Sequence, residues 1–119
     1  MISQSVGGLN LYLLTLTKRR SISTGSKKCI YITARLHAAE THGSWIMKHI
    51  ISELTQNYEK YDTILNDYVV KLAPMINPDG VTIGNARGSL VGLDLNRRWS
   101  DPNPTIHPEI YFLKEIMKN

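Results

Sequence analysis

The sequence predicts an α/β fold, and three observations carry that prediction. Cys29-Ile30-Tyr31-Ile32-Thr33 and Tyr68-Val69-Val70-Lys71-Leu72-Ala73 are short apolar runs rich in β-branched and aromatic residues, the pattern of buried strands. Between them lies an amphipathic segment from Ser44 to about Asn57. A second helical segment starts near Thr105 to Glu109. Strand, helix, strand, helix is the alternation from which α/β domains are built.

In chain order, Leu9 to Thr17 mixes Leu, Tyr and Thr in a strand-like run. The Ser/Gly/Lys-rich stretch from Lys18 to Lys28 reads as a loop, which makes that run and Cys29–Thr33 neighbouring strands joined by a hairpin tip. From Ser44, the residues Trp45, Ile46, His49 or Ile50, and Leu54 recur at helical spacing, with Lys48, Glu53 and Gln56 off that face. Tyr68–Ala73 is halted by Pro74, and Asn77-Pro78-Asp79-Gly80 is turn chemistry. A long, Gly-rich connection follows. In the last segment Thr105 or His107 stands near the cap, Pro108 in the first turn, and Ile110, Leu113 and Ile116 or Met117 on one face. No internal repeat, low-complexity tract or heptad array is present.

With 119 residues, 42% of them apolar, the chain is one domain at most and can bury a core. The single Cys29 cannot form an internal disulfide, and its apolar surroundings predict a buried thiol in a reducing compartment. Leu9 to Leu16 is too short to span a bilayer, and the basic cluster Lys18-Arg19-Arg20 follows it rather than preceding it as in a signal peptide. A cytoplasmic protein without a membrane partner is the expectation. The net charge of +4 hides an asymmetry, because no Asp or Glu precedes Glu40. That basic third could attract an acidic partner or could be a solvated hairpin tip; without aromatic interleaving, nucleic acid is not the expected partner.

Two short segments carry chemistry. In Arg35-Leu36-His37-Ala38-Ala39-Glu40, an imidazole and a carboxylate stand at the end of a buried strand, where open α/β sheets place their ligands. Such a pair can close on one zinc ion. The alternative is an exposed His beside a Glu that favours the dipole of the helix near Ser44. Further on, Arg87, Asn96 and Arg97 lie in a loop with Gly84, Gly88 and Gly92. A guanidinium fork meets a planar carboxylate bidentately and an amide NH₂ adds a bond, so these groups could hold the free end of a peptide. The alternative is a surface loop with solvated arginines. Asp94 could pair with an arginine or be an ordinary turn residue.

These segments, together with Ser44-Trp45, Asn77-Pro78-Asp79-Gly80-Val81, Asp94-Leu95-Asn96-Arg97-x-Trp99 and His107-Pro108-x-Ile110-Tyr111, resemble the zinc metallocarboxypeptidases related to carboxypeptidase A. Within them the chain is most similar to the cytosolic subfamily that trims glutamates from tubulin and other acidic tails. The resemblance implies a partial three-layer carboxypeptidase-like fold, a mixed sheet flanked by helices, with residues 1–119 as an incomplete catalytic domain. It implies zinc held by His37 and Glu40. It also implies Arg87 as the catalytic oxyanion stabiliser and Arg87, Asn96 and Arg97 as substrate-binding groups. The partners it implies are peptide or protein C-terminal tails, acidic ones included.

The chain departs from the subfamily in having Ala38-Ala39 for the usual Pro-Gly and His42 for Asn. By the same resemblance, the third zinc ligand, a His, and the general base, a Glu, belong beyond Asn119. His42, His49 and His107 are weaker substitutes for that ligand, with helix-face packing expected of His49 and capping of His107. The chain alone is therefore expected to bind zinc weakly and hydrolyse little. Two other readings remain: a non-catalytic fragment that binds C-terminal tails, and a zinc amidohydrolase acting on N-acyl amino acids, which shares the H-x-x-E start.

Overall fold

A computed structural model describes residues 1–18 and 26–118. The described elements are β1 (Ser3–Gln4), β2 (Asn10–Leu11), β3 (Leu14–Leu16), β4 (Lys28–Thr33), α1 (His42–Gln56), α2 (Asp62–Asp67), β5 (Tyr68–Ala73), α3 (Pro78–Thr82) and α4 (Pro108–Lys118), with 3₁₀ turns at Tyr58–Tyr61 and Leu95–Arg97. β1 and β2 form a small antiparallel ribbon. The main sheet has the order β3-β5-β4, in which β5 runs parallel to β4 and antiparallel to β3. The sheet is thus mixed, as expected.

Strand alternation sorts the core into two clusters on opposite faces. Val70 and Leu72 point one way and pack with Met47 and Leu54 of α1 and Leu65 of α2, joined by Leu16 and Ile32. Ala73 points the other way and joins Ile76, Leu95, Ile110 and Leu113, with Leu13, Leu36 and Trp99 at the margin. The Tyr31 hydroxyl donates to the Ile116 carbonyl at 2.9 Å, fastening α4 to the second face. α1 on one side, the sheet in the middle and α4 on the other make three layers.

Several sequence expectations change here. The Leu9–Thr17 run is broken into β2 and β3, and β3 is not a neighbour of β4. β5 lies between them because its Val70, Leu72 and Ala73 are buried and suit a central strand, whereas exposed Leu14 and Thr15 suit an edge. Among the described residues β3 and β4 therefore form no hairpin. Of the basic stretch, residues 19–25 lie outside the described residues. Lys18 pairs with Asp62, and Lys27 donates to Thr17 Oγ1 at 2.7 Å and to the Leu65 carbonyl at 2.8 Å, so both serve the strand ends.

On α1 the core-facing stripe is buried Met47 and Leu54 with partly buried Ile50 and Ile51, while Trp45 and Ile46 are exposed. The true i, i+3, i+4, i+7 series begins at Met47 rather than Trp45. Cys29 is also exposed, not buried. It shares the face of Tyr31, at a part of β4 that no described residue covers. Asn77-Pro78-Asp79-Gly80 forms the cap and first turn of α3 rather than a simple turn: Asn77 Oδ1 accepts from the Gly80 amide at 2.9 Å. No described helix is long and apolar enough to cross a membrane.

Candidate functional site

β4 ends at Thr33, and the chain then folds over the top of the sheet. The Ala34 amide donates to the Ala73 carbonyl, and the Ile76 and Asn77 amides donate to the Ala34 and Arg35 carbonyls, each at 3.0 Å. These bonds carry the β4–β5 pairing past the strand ends and fix where residues 36–40 emerge. His37 is buried, 7% exposed, whereas Glu40 is open to solvent.

The His37 ring is held at both nitrogens. Nδ1 lies 3.1 Å from Glu40 Oε1, and Nε2 lies 3.0 Å from Asp94 Oδ1. Asp94 also accepts from Arg87 Nε at 2.8 Å through its other oxygen and from the Asn96 amide at 2.9 Å. Partial burial alone would raise the Asp94 pKa, but the bonds from Arg87, the Asn96 backbone and His37 outweigh it and bring it down to about 2. Asp94 is therefore an acceptor at neutral pH, and Nε2 carries the proton. Nδ1 then faces a carboxylate oxygen, and the two would serve as donors to one shared cation such as zinc.

The Arg87–Asn96–Arg97 loop is tied to the same place. Asp94 caps the 3₁₀ turn Leu95–Arg97, so one carboxylate orients His37, anchors Arg87 and starts the turn that carries Asn96 and Arg97. Asn96 and Arg97 are exposed, and Asn96 Oδ1 accepts from Trp99 Nε1 at 3.2 Å. Gly84 and Gly92 take φ of 76° and 75°, the left-handed turns that glycine allows. Fully buried Asn77 links the two segments, its Nδ2 donating to the Gly88 carbonyl at 3.0 Å and to the Leu36 carbonyl at 3.4 Å. The Ala39 amide adds a bond to the Ala86 carbonyl at 2.9 Å, and Lys114 of α4 holds the far end through the Trp99 and Ser100 carbonyls.

The structure thus brings His37, Glu40 and Arg87 together around Asp94 and sets Asn96 and Arg97 on the adjoining turn. Sequence reasoning left Asp94 between two roles; its signal was the Asp-x-Asn-Arg spacing, which places an acidic cap on the arginine-bearing turn. Neither His42 nor His49 joins the pair: both are exposed, at the start and middle of α1. His107 is buried just before α4, and its carbonyl accepts from the Tyr111 amide at 3.0 Å; its Nδ1, however, accepts from the Asn103 amide at 3.1 Å, so the side chain ties down the preceding turn rather than capping the helix as expected. Among the described residues no group of three or more His, Cys, Asp and Glu side chains is arranged to hold a metal ion. The donor chemistry fits zinc in part, with one nitrogen, one oxygen and an oriented ring.

Comparison with known proteins decides the family, because the zinc carboxypeptidase profile matches residues 1–111. The chain belongs to the zinc carboxypeptidase family. It is 43% identical over 117 residues to cytosolic carboxypeptidase 6 of Mus musculus and 42% identical over 118 residues to that of Homo sapiens. This family member spans only 22% and 23% of those relatives, while they cover 98% of it. Its fold matches a metallo-carboxypeptidase from Burkholderia cenocepacia with a TM-score of 0.90 at 25% identity, over 98% of this chain and 31% of that one. It also matches a metallo-carboxypeptidase from Pseudomonas aeruginosa, solved in complex with (2-guanidinoethylmercapto)succinic acid. There the TM-score is 0.88 at 30% identity, over 99% of this chain and 31% of that one. The α/β, three-layer arrangement is therefore the carboxypeptidase one.

Proposed function

We propose that this chain supplies the first part of a zinc carboxypeptidase active site, with His37 and Glu40 as metal ligands and Arg87, Asn96 and Arg97 as the groups that meet the substrate. The observation that carries the reading is the His37 ring, gripped between the Glu40 carboxylate and an Asp94 that also anchors Arg87. The reaction is hydrolysis of the last peptide bond of a peptide or protein. Zinc, when bound, supplies Lewis acidity and a more acidic water.

The chain's own residues do the rest of what can be assigned to them. Asp94 fixes the His37 tautomer and ring plane, which directs the Nδ1 lone pair toward the Glu40 oxygen. Arg87, held through Nε, keeps its terminal nitrogens available to an oxyanion that develops beside the metal. Arg97 and the Asn96 amide receive the substrate's terminal carboxylate, so only chain ends fit. A catalytic zinc takes three protein ligands, and two stand here, which makes zinc binding by these residues weak.

Acidic, glutamate-rich tails are the proposed substrates and the cytosol the proposed location. Support comes from the similarity to cytosolic carboxypeptidases. Titrating the chain with a glutamate-ended peptide and with the same peptide amidated at its C-terminus tests the clamp. The free acid is expected to bind about tenfold tighter or more, in the range of a charge-assisted bidentate contact, and Arg97→Ala to erase the difference. Equal affinities would remove end recognition from the proposal.

A further inference from the structure

Arg35 is the only non-glycine among the described residues with a positive φ, 56°, a backbone conformation that L side chains rarely take. Residues persist there when their surroundings over-determine them, and such positions gather at functional sites. Its side chain explains what is gained. Nε and Nη2 both donate to the Ala38 carbonyl, at 3.1 and 2.6 Å, and Nη1 donates to Ser44 Oγ at 2.7 Å. The guanidinium therefore closes the loop from 35 to 38 on itself and fastens it to the first turns of α1. The Arg35 carbonyl meanwhile accepts from the Asn77 amide at 3.0 Å, which holds the other side of the kink to the sheet.

His37 lies inside that closed loop and Glu40 just past it. Neither Ala38 nor Ala39 carries a side chain able to pin the loop, so its shape rests on the backbone: the Ala39 amide is held by the Ala86 carbonyl at 2.9 Å, and the Ala38 carbonyl by the Arg35 guanidinium. The left-handed kink at Arg35 turns the chain off the sheet, and the planar fork sets the height of the Ala38 carbonyl above α1. With the Ala39–Ala86 bond and the hold of Asp94 on the His37 ring, those two constraints set the separation between that ring and the Glu40 carboxylate. A lysine makes no such fork.

We propose that Arg35 is a positioning residue for the His37–Glu40 pair: it touches neither metal nor substrate and acts by holding the loop that presents both donors. The proposal rests on the zinc-carboxypeptidase reading above, yet its geometric half is testable without any metal.

Amide hydrogen exchange on the metal-free 119-residue chain provides the first readout. Arg35→Gln keeps a non-glycine at the same φ and removes the guanidinium. Exchange at Ala39 and Glu40 is expected to speed up about tenfold or more, while Val70 and Leu72 of β5 stay as protected as in the wild type. Arg35→Lys should recover part of the protection. Unchanged protection at Ala39 and Glu40 in Arg35→Gln overturns the proposal.

Should that variant also loosen β5, Ser44→Ala removes one of the three bonds and leaves the fork on Ala38. It is expected to raise exchange at residues 39 and 40 by a smaller factor, and no change there counts against the role. The second readout is zinc affinity by competition with a chelating dye. Arg35→Gln is expected to lose about 10–100-fold, the usual effect of removing a group that orients metal ligands. His37→Ala separates the two ideas: if it binds zinc as well as the wild type, the metal reading fails, while faster loop exchange in Arg35→Gln still establishes the positioning role.

Discussion

Glu109 offers the sharpest test of how this core is assembled. It sits in the first turn of α4, 1% exposed, and neither of its carboxylate oxygens makes a well-formed hydrogen bond, the backbone of Glu109 and Val6 offering only weak contacts. Burial, reinforced by the nearby Asp79 carboxylate and opposed by the backbone at Glu109 and Val6, raises its pKa from 4.5 to about 7. A carboxyl group whose folded-state pKa is raised is protonated in the native chain where the unfolded chain has already released its proton. Stability therefore falls as pH rises from about 4.5 to about 7 and levels off above that.

At about 1.4 kcal/mol per pH unit, the loss from this one group approaches about 3 kcal/mol on the alkaline side. Glu109→Gln keeps the shape and removes the ionisation. Urea unfolding followed by circular dichroism should find the variant up to about 3 kcal/mol more stable than the wild type at pH 8, and close to parity at pH 5. A buried amide that also lacks well-formed partners would trim the gain by about 1 kcal/mol or more. Comparing the two proteins at each pH isolates Glu109 from His107, whose pKa is lowered chiefly by burial and then by Arg98. His107 costs stability in the opposite direction, as pH falls. The reasoning is refuted if the difference between variant and wild type is the same at pH 5 and pH 8.

Two further outcomes follow from the site. A Cβ on Gly80 would lie 2.6 Å from Asn77 Nδ2 and 2.7 Å from the Gly88 carbonyl, so Gly80→Ala must push apart the link between the two site loops; a loss of about 1–3 kcal/mol is expected, read as a lowered Tm. Asp94→Ala removes the acceptor on His37 Nε2 together with the Arg87 anchor. Zinc affinity should drop about 10–100-fold while the far-UV spectrum stays unchanged, and an undiminished affinity would separate Asp94 from the metal pair.

The central strands and the two long helices were legible because their patterns are local. β4, β5 and α4 are found within a residue or so of the runs that predicted them, and α1 begins two residues before its expected start. Strand order was not, because pairing is a matter of which edge each strand shows to which neighbour, and nothing in Leu9–Thr17 records that β5 would come between. The core face of α1 was only half placed: Ile50 and Leu54 belong to it, but Trp45 and Ile46 look apolar whether or not anything covers them. The same holds for Cys29. At the site, residue types pointed to His37, Glu40, Arg87, Asn96 and Arg97, yet the role of Asp94 depends on a contact between positions 37 and 94 that only the folded chain makes. Arg35 was noticed only as a neighbour of the histidine, because a backbone dihedral leaves no mark on a sequence.

Among the described residues β4 pairs with β5 alone, so its other margin presents a row of free amide and carbonyl groups. Cys29 and the half-buried Ile30 and Ile32 lie along it, and Lys28 at its first position is its sole charge. Such a border is a template for another extended segment, and flat apolar borders are normally blunted by charge or proline. An extended segment added there would continue the β3-β5-β4 sheet, and a lysine placed at Ile30 would weaken that pairing at the expense of packing against α1.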